Sequence, residues 1–209
     1  MKGPVTIAVT GPFASGKSTF VQLLGELGAE TVSADEVVHD LLSDDEKTIA
    51  RITERFGDEV RGERGIDRRA LGREVFGDAK ALRDLEEILH PRVRREVSRR
   101  AASSNCEVFV AEIPLLFEVG QEDAYDLTVA VVTPAERRKE WSGERGVEEQ
   151  QRRAIEVRQL TGEEKAQRAD VVVQNDGDIN RLREQAGDLW ETVLRERRTG
   201  GDLREQEES

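Results

Sequence analysis

A glycine-rich loop near the N-terminus constrains the fold of this chain more than any other stretch. Residues 11–18 read Gly-Pro-Phe-Ala-Ser-Gly-Lys-Ser and fit the pattern G-x-x-x-x-G-K-S. A β-branched apolar run at 5–10 precedes the loop, and an apolar helical pattern at 20–24 follows it. Because the motif has the strand, loop and helix context that it requires, the sequence predicts an α/β domain that binds a nucleoside triphosphate here.

The chemistry of this loop follows from its backbone and from two side chains. Successive backbone N–H groups form an anion-binding nest, and the helix N-terminus adds its partial positive charge. Lys17 is expected to reach the β- and γ-phosphates, and the Ser18 hydroxyl is expected to bind Mg²⁺. The nucleotide-binding residues predicted from the loop are Gly11, Pro12, Phe13, Ala14, Ser15, Gly16, Lys17, Ser18 and Thr19.

The net charge of the chain limits its partners. Acidic residues outnumber basic ones 44 to 32, and the formal net charge is −12. Such a surface repels nucleic acid and anionic membranes. The sequence shows neither an export signal nor an apolar run long enough to span a membrane. We therefore expect a cytoplasmic protein that acts on a small molecule, without nucleic-acid or membrane partners; the sequence leaves the oligomeric state open.

Two acidic residues stand at the ends of predicted strands, where open parallel sheets bind their ligands. Asp35 ends a predicted strand at 30–35 and precedes a predicted helix at 36–42. It could be a base or a metal ligand, or it could only cap the helix. Glu112 interrupts a nearly continuous apolar run at 107–118. It could orient Mg²⁺ as a Walker B carboxylate does, or it could only face the cleft edge at the end of its strand.

Two long helical stretches separate the strands. Residues 44–105 show no convincing strand and are predicted to form a helical insertion, with its helical stripe interrupted at His90 and Pro91. Its arginines, Arg68 among them, could hold an anionic substrate or lie on solvated helix faces, and His90 could carry a proton or make a structural hydrogen bond. Residues 135–168 are rich in Arg, Glu and Gln, which is typical of a solvated helical hairpin or of the lid of a phosphotransfer enzyme.

The remaining pattern completes the predicted domain. Two further strands are predicted at 127–132 and 170–175, and a terminal helix at 179–197. The polar tail at 199–209 is expected to be disordered. The predicted core of the single domain therefore consists of 1–43, 106–134 and 169–198.

Landmarks outside the loop occur in the order of one family. They are Ala34-Asp35, Phe56-Gly57, Ile66-Asp67-Arg68, Val75-Phe76, Leu89-His90-Pro91, Ile113-Pro114-Leu115-Leu116-Phe117-Glu118, Tyr125-Asp126, Gln159, Lys165, Ala169-Asp170 and Asn175-Asp176-Gly177. With these motifs in this order, the chain resembles the dephospho-CoA kinases, which finish coenzyme A synthesis by phosphorylating the ribose 3′-hydroxyl of dephospho-CoA. The resemblance implies a three-layer P-loop NTPase fold with a five-stranded parallel sheet, a helical substrate-binding insertion and a helical lid. It also implies ATP and Mg²⁺ as cofactors.

The loop motif, the strand ends and the resemblance together give expected roles to individual residues. Lys17 and Arg145 are expected at the transferring phosphoryl group, Asp35 near the acceptor hydroxyl and Asn175 at the nucleotide. The residues expected to bind the acceptor are Asp35, Arg68, His90, Pro114 and Leu115. Ser18 and Glu112 are expected to hold the metal ion.

One departure from the family concerns the catalytic base. The family usually has Asp-Ala-Asp after the second strand, and the first aspartate is the favoured base, whereas this chain has Ser33. Because a serine does not accept that proton at neutral pH, either Asp35 or Glu112 substitutes, or positioning carries most of the rate.

Other departures lie in the lid and in the loop. Glu140 and Glu144 stand where the family commonly has arginines that grip the ATP phosphates, and Arg137, Arg138 and Arg145 lie nearby and could replace them. The loop has proline and alanine at 12 and 14, where the family prefers glycine. These departures leave two alternatives: a paralogue that phosphorylates another nucleoside or small alcohol, and a nucleotide-binding regulatory module with little transferase activity.

Overall fold

Strands and helices alternate along most of the chain in the computed structural model, which describes residues 3–200. The strands are β1 (Val5–Thr10), β2 (Glu30–Ser33), β3 (Val108–Glu112), β4 (Leu127–Val132) and β5 (Val171–Gln174). The helices are α1 (Lys17–Glu26), α2 (Ala34–Asp44), α3 (Glu46–Phe56), α4 (Arg68–Val75), α5 (Ala79–Ser103), α6 (Ala135–Glu144), α7 (Glu149–Glu156), α8 (Gly162–Arg168) and α9 (Ile179–Thr199). Among the helices of residues 3–200, none combines the length and the apolar character needed to cross a membrane.

The strands form one five-stranded parallel sheet in the order β2-β3-β1-β4-β5. Strand β1 is central, and its Val9 lies opposite Glu112 on one side and Val129 on the other. The loop after β1 therefore emerges at the carboxyl edge of the sheet, between the ends of β3 and β4. The sheet and its flanking helices confirm the predicted fold class.

The central strands are apolar on both faces because both faces are covered. Val9, Val110 and Val129 are fully buried, as is expected of a parallel sheet with helices on its faces. Helices α1 and α9 belong to the same apolar cluster as the strands, to which they contribute Phe20 and Val193 among others. This packing holds the first turn of α1, and with it the glycine-rich loop, at the sheet edge.

The chain forms two compact units, residues 3–31 with 104–200, and residues 32–103. The second unit is helical and contains α2 to α5 around its own apolar cluster, which includes Leu42, Ile52 and Leu89. Within it, Asp45 caps α3 through the backbone N–H of Thr48 at 2.8 Å and pairs with Arg92 at 3.1 Å. Hydrogen bonds from Thr48 lower the pKa of the Asp45 carboxyl. The assignment of a core, a substrate insertion and a lid within the sequence stays a prediction.

Three local expectations differ from the structure. Helix α5 continues through Pro91, because proline removes a single N–H donor and buried Leu89 and Val97 on either side keep the helix packed. Helix α2 begins at Ala34, so Asp35 lies in its first turn instead of capping it. The last helix runs to Thr199, where left-handed Gly200 ends it. The remainder of the predicted disordered tail, from 201, lies outside the described residues.

Candidate active site

The glycine-rich loop, residues 11–19, includes the connection between β1 and α1 and the first three residues of α1, and it contacts the neighbouring strand ends. Gly11 and Gly16 have φ values of +154° and +85°. A Cβ atom at Gly11 would lie 2.3 Å from the carbonyl oxygen of Val131, and one at Gly16 would lie 2.2 Å from Nδ2 of Asn175. Both positions therefore require glycine, and the loop backbone approaches its supports more closely than any side chain would permit.

Ala14 adopts a left-handed conformation, with φ of +58°, and among residues 3–200 it is the one non-glycine residue with a positive φ. A left-handed residue with a Cβ costs about 1–2 kcal/mol. Backbone N–H groups turn inward where right- and left-handed residues alternate, which is the geometry of an anion-binding nest. The loop therefore carries strain at the point where it would surround a phosphate.

Two polar side chains of the loop are buried inside it. Lys17 is 8% exposed, and its Nζ donates a hydrogen bond to the carbonyl oxygen of Pro12 at 3.0 Å. Ser15 is fully buried, and its Oγ has no hydrogen-bond partner. A buried hydroxyl without a partner is rare in folded proteins. The loop thus holds an ammonium group and a hydroxyl donor that a bound anion can use.

The two residues predicted to bind metal lie in contact. The hydroxyl of Ser18, at the start of α1, donates to Oε1 of Glu112, at the end of β3, at 2.9 Å. The parallel pairing of β1 with β3 produces this contact, because it brings the carboxyl ends of both strands to one edge. Hydroxyl and carboxylate oxygens are the ligands that Mg²⁺ prefers in proteins. Within residues 3–200, no group of three or more His, Cys, Asp or Glu side chains is arranged to hold a metal ion.

Asn175 supports the loop from the end of β5. Its Nδ2 donates to the carbonyl oxygen of Ser15 at 2.9 Å, and the hydroxyl of Thr133 donates to the same oxygen at 2.8 Å. The backbone N–H of Gly177 donates to Oδ1 of Asn175 at 3.2 Å, and Asn175 is 6% exposed. The structure therefore shows Asn175, predicted at the nucleotide, in contact with the loop backbone.

One arginine of the 135–168 stretch is fixed beside the loop. Nη1 of Arg138 donates to Glu156 at 2.8 Å and to the carbonyl oxygen of Phe13 at 3.4 Å. Glu156 also accepts from Arg152 at 2.5 Å, and both arginine side chains are 16% exposed. The Nε of Arg138 is buried without a hydrogen-bond partner. Arg145, predicted at the transferring phosphoryl group, is exposed at the end of α6.

A buried lysine, to which the sequence assigned no role, lies near the carboxyl end of β1. Lys165 is fully buried, and its Nζ contacts Glu118 at 2.7 Å. The same Nζ donates to the carbonyl oxygen of Pro114 at 2.9 Å and to Oγ1 of Thr10 at 3.3 Å. Pro114, predicted to bind the acceptor, is thus tied to the core through its carbonyl group.

Three of the predicted acceptor residues, Asp35, Arg68 and His90, belong to the second unit, whereas Leu115 follows Pro114 in the first. Asp35 is exposed in the first turn of α2, where the helix dipole stabilises a carboxylate. Arg68 is exposed and begins α4, and Asp67 caps that helix. Hydrogen bonds from the backbone N–H groups of Ala70 and Arg69 lower the pKa of Asp67. His90 is half-buried in the middle of α5.

Comparisons with known proteins converge on one family. A family model described as dephospho-CoA kinase matches residues 5–181. The dephospho-CoA kinase of Frankia casuarinae is 36% identical over 194 residues, which are 92% of this chain and 85% of that protein. The solved structure of TT1252 from Thermus thermophilus has a TM-score of 0.77 at 34% identity, covering 91% of this chain and 98% of that one. Dephospho-CoA kinase from Campylobacter jejuni has a TM-score of 0.62 at 26% identity, covering 90% and 96%.

Proposed function

This chain belongs to the dephospho-CoA kinase family, and on that premise we propose that it transfers the γ-phosphoryl group of ATP to the ribose 3′-hydroxyl of dephospho-CoA. The observation that carries the proposal is the pairing of Ser18 with Glu112 at 2.9 Å beside the buried Lys17 in a glycine-rich loop. This arrangement combines an anion nest, a cation and two oxygen ligands for a metal, which are the parts that phosphoryl transfer from ATP requires.

The loop fits the phosphates of ATP. Its glycines allow the backbone to approach an anion closely, and the partnerless hydroxyl of Ser15 provides a further donor. Nζ of Lys17 exchanges its hydrogen bond to the Pro12 carbonyl for phosphate oxygens when the nucleotide binds. This exchange replaces a neutral acceptor with a charged one, so the ammonium group of Lys17 gains an ion pair with the phosphate.

Ser18 and Glu112 fit Mg²⁺, and in this proposal they hold it beside the loop. A magnesium ion held by these two side chains would supply positive charge that offsets the negative charge developing on the phosphates. Two protein oxygens are enough for such a site, since Mg²⁺ is commonly held by one or two protein groups together with substrate phosphates.

Positioning and charge stabilisation supply most of the rate in this proposal, because the transition state of phosphoryl transfer is loose. Lys17 stabilises the negative charge from within the loop. An arginine of α6 adds a second cation: the contacts of Arg138 with Phe13 and Glu156 favour Arg138, and Arg145 is the alternative predicted from the sequence.

On the acceptor side, Asp35 is the proposed base, because Ser33 stands where the family usually has its first aspartate. Arg68, His90, Pro114 and Leu115 are the proposed acceptor-binding residues. Replacing Asp35 with asparagine removes the proton acceptor and leaves the shape of the side chain nearly unchanged. We expect Asp35→Asn to lower kcat by about 100-fold or more without changing the affinity for ATP. An unchanged kcat would transfer the role of base to Glu112 or leave the rate to positioning.

The experiment that tests the function measures ADP release by purified protein with dephospho-CoA, coenzyme A and a panel of nucleosides. Dephospho-CoA should give turnover, whereas coenzyme A, whose 3′-hydroxyl is already phosphorylated, is the matched control and should give none. Mass spectrometry of the product should show one added phosphoryl group. Turnover with a nucleoside but not with dephospho-CoA would contradict the proposal, and so would ATP binding without turnover of any acceptor. The cytoplasmic location and the absence of nucleic-acid and membrane partners stay predictions.

A further inference from the structure

Lys165 is a fully buried ammonium group that the proposed chemistry does not use. Its Nζ reaches the carboxylate of Glu118 at 2.7 Å, the carbonyl oxygen of Pro114 at 2.9 Å and the hydroxyl of Thr10 at 3.3 Å. Thr10 is the last residue of β1, directly before the glycine-rich loop of residues 11–19, which we now call the phosphate loop. Pro114 and Glu118 belong to the turn after β3. One side chain therefore contacts the start of the loop and both ends of this turn.

The turn of residues 113–118, which we call the acceptor turn, is also tied to the segment that precedes Lys165. The backbone N–H of Leu160 donates to Glu118 at 2.8 Å. The neighbouring Gln159 accepts a hydrogen bond from the backbone N–H of Phe13, in the phosphate loop, at 2.7 Å. Residues 159–165 thus form a hydrogen-bonded connection between the phosphate loop and the acceptor turn.

The direction of the Lys165 side chain is set by the start of α8. Thr161 and Glu164 form a capping box, in which each side chain accepts a hydrogen bond from the backbone N–H of the other residue. The N–H of Lys165 donates to the carbonyl oxygen of Thr161 at 3.0 Å, which fixes the residue in the first helical turn. The ammonium group is therefore held by local helix geometry as well as by its partners.

A buried ion pair is a poor way to stabilise a fold. Burial lowers the pKa of Lys165, and the hydrogen bond with Glu118 partly opposes that shift. Replacing such a pair with apolar residues is often neutral or stabilising. An apolar residue could fill the same volume, but it could not bond to Thr10, before the phosphate loop, and to Pro114 and Glu118, in the turn after β3. Those contacts are what distinguish lysine at this position.

We propose that Lys165 is a positioning residue that fixes the acceptor turn relative to the phosphate loop, and so aligns the acceptor with the phosphoryl group. The proposal rests on the proposed function, in which Pro114 and Leu115 of this turn bind the acceptor. Lys165 is 0% exposed and acts through the turn and not by contact with substrate.

The test compares Lys165→Met, Glu118→Gln and the double variant, with Lys80→Met at an exposed lysine of α5 as the matched control. Lys165→Met leaves the carboxylate of Glu118, whose side chain is only 13% exposed, without its cation, so the thermal midpoint of this variant should fall. Its kcat/KM for dephospho-CoA should fall by about 100-fold, because a small misplacement of reacting groups can lower the rate by that factor. The KM for ATP should stay close to that of the wild type. Lys80→Met should match the wild type in each measurement.

The double variant separates positioning from stability. It removes both charges of the Lys165–Glu118 pair, so its thermal midpoint should return toward the wild-type value, while kcat/KM for dephospho-CoA should stay low. Recovery of both quantities would show that the pair is only structural and would overturn the proposal. Equal losses for ATP and for dephospho-CoA in Lys165→Met would overturn it as well.

Hydrogen exchange gives a second readout that does not depend on which acceptor is used. The amides of Val119 and Gln121 donate to the carbonyl oxygens of Leu115 and Leu116 at 3.2 and 3.1 Å, so they report on the acceptor turn. In the double variant they should exchange faster, whereas the amides of β4 should be unchanged. Unchanged exchange at Val119 and Gln121 would overturn the proposal. Failure of the wild type to turn over dephospho-CoA would contradict the proposed function alone.

Discussion

The phosphate loop, residues 11–19, and the arginine-rich segment, residues 135–168, both offer positive charge, but they hold it in different ways. In the loop, Lys17 is 8% exposed and lies among backbone groups of the loop itself. In the segment, Arg137 pairs with Glu140 on the surface, and the two side chains are 51% and 53% exposed. Exposed pairs of this kind contribute little free energy and leave the side chains free to move.

The difference shows why one region can be predicted from its local sequence and the other cannot. Glycine, lysine and serine at fixed spacing identify the loop in the sequence, and Nζ of Lys17 contacts the loop's own backbone at Pro12. The position of an arginine side chain in the segment can depend on partners outside its own helix. Arg138, for example, is fixed by Glu156 and by the carbonyl oxygen of Phe13. Single substitutions should therefore have larger effects in the loop than in the segment.

The largest effect is expected for Lys17→Ala. This change removes the buried cation of the phosphate loop, so both ATP binding and transition-state stabilisation should suffer. We expect kcat/KM for ATP to fall by about 1000-fold, measured by ADP release. Lys80→Ala, at an exposed lysine, is the control and should keep wild-type activity. A tenfold change in kcat/KM corresponds to about 1.4 kcal/mol. A loss smaller than tenfold would mean that the loop backbone binds the phosphates without help from Lys17.

A smaller effect is expected for Glu112→Gln. Glutamine keeps the length of the side chain and can still accept the hydrogen bond of Ser18, but it removes the charge that attracts Mg²⁺. The Mg²⁺ concentration needed for half-maximal activity should rise by about 10–100-fold, and excess Mg²⁺ should restore most of the rate. Glu118→Gln, at a carboxylate paired with Lys165, should not change the Mg²⁺ requirement. An unchanged requirement in Glu112→Gln would remove Glu112 from the metal site.

Local sequence was enough for the elements that follow from periodicity and for the motif. Strand β4 occupies the predicted 127–132, and the Ser18–Glu112 contact follows from the adjacent ends of two parallel strands.

The continuation of α5 through Pro91 could not be predicted, because packing on both sides of the proline outweighs its local effect. The burial of Lys165 could not be predicted either. In a charge-rich sequence it resembles a solvated lysine, and its partner Glu118 lies far away in the chain. The capping box at 161–164 is the one local signal that could have fixed the start of α8.

Within the arginine-rich segment, Arg138→Met and Arg145→Met form a matched pair. The Arg138 side chain is 16% exposed and touches the loop carbonyl of Phe13, whereas Arg145 is exposed at the end of α6. We expect Arg138→Met to lower kcat by about 10-fold or more and Arg145→Met to have the smaller effect. Steady-state kinetics with saturating ATP would measure both. The opposite order would support Arg145 as the arginine at the phosphoryl group, as the sequence predicts.

The smallest effect concerns the strain stored in the loop at Ala14. Its φ of +58° is natural for glycine and costly for alanine, so Ala14→Gly should raise the free energy of unfolding by about 1 kcal/mol. For a chain of this size that corresponds to a rise of about 2–4 °C in thermal midpoint. Ala50→Gly, at an exposed position in the middle of α3, is the control with the opposite sign, because glycine destabilises a helix by about 1 kcal/mol. If both substitutions lower the midpoint, the left-handed conformation of Ala14 carries no strain. The phosphate loop would then owe its shape to its partners Asn175, Thr133 and Gln159 alone.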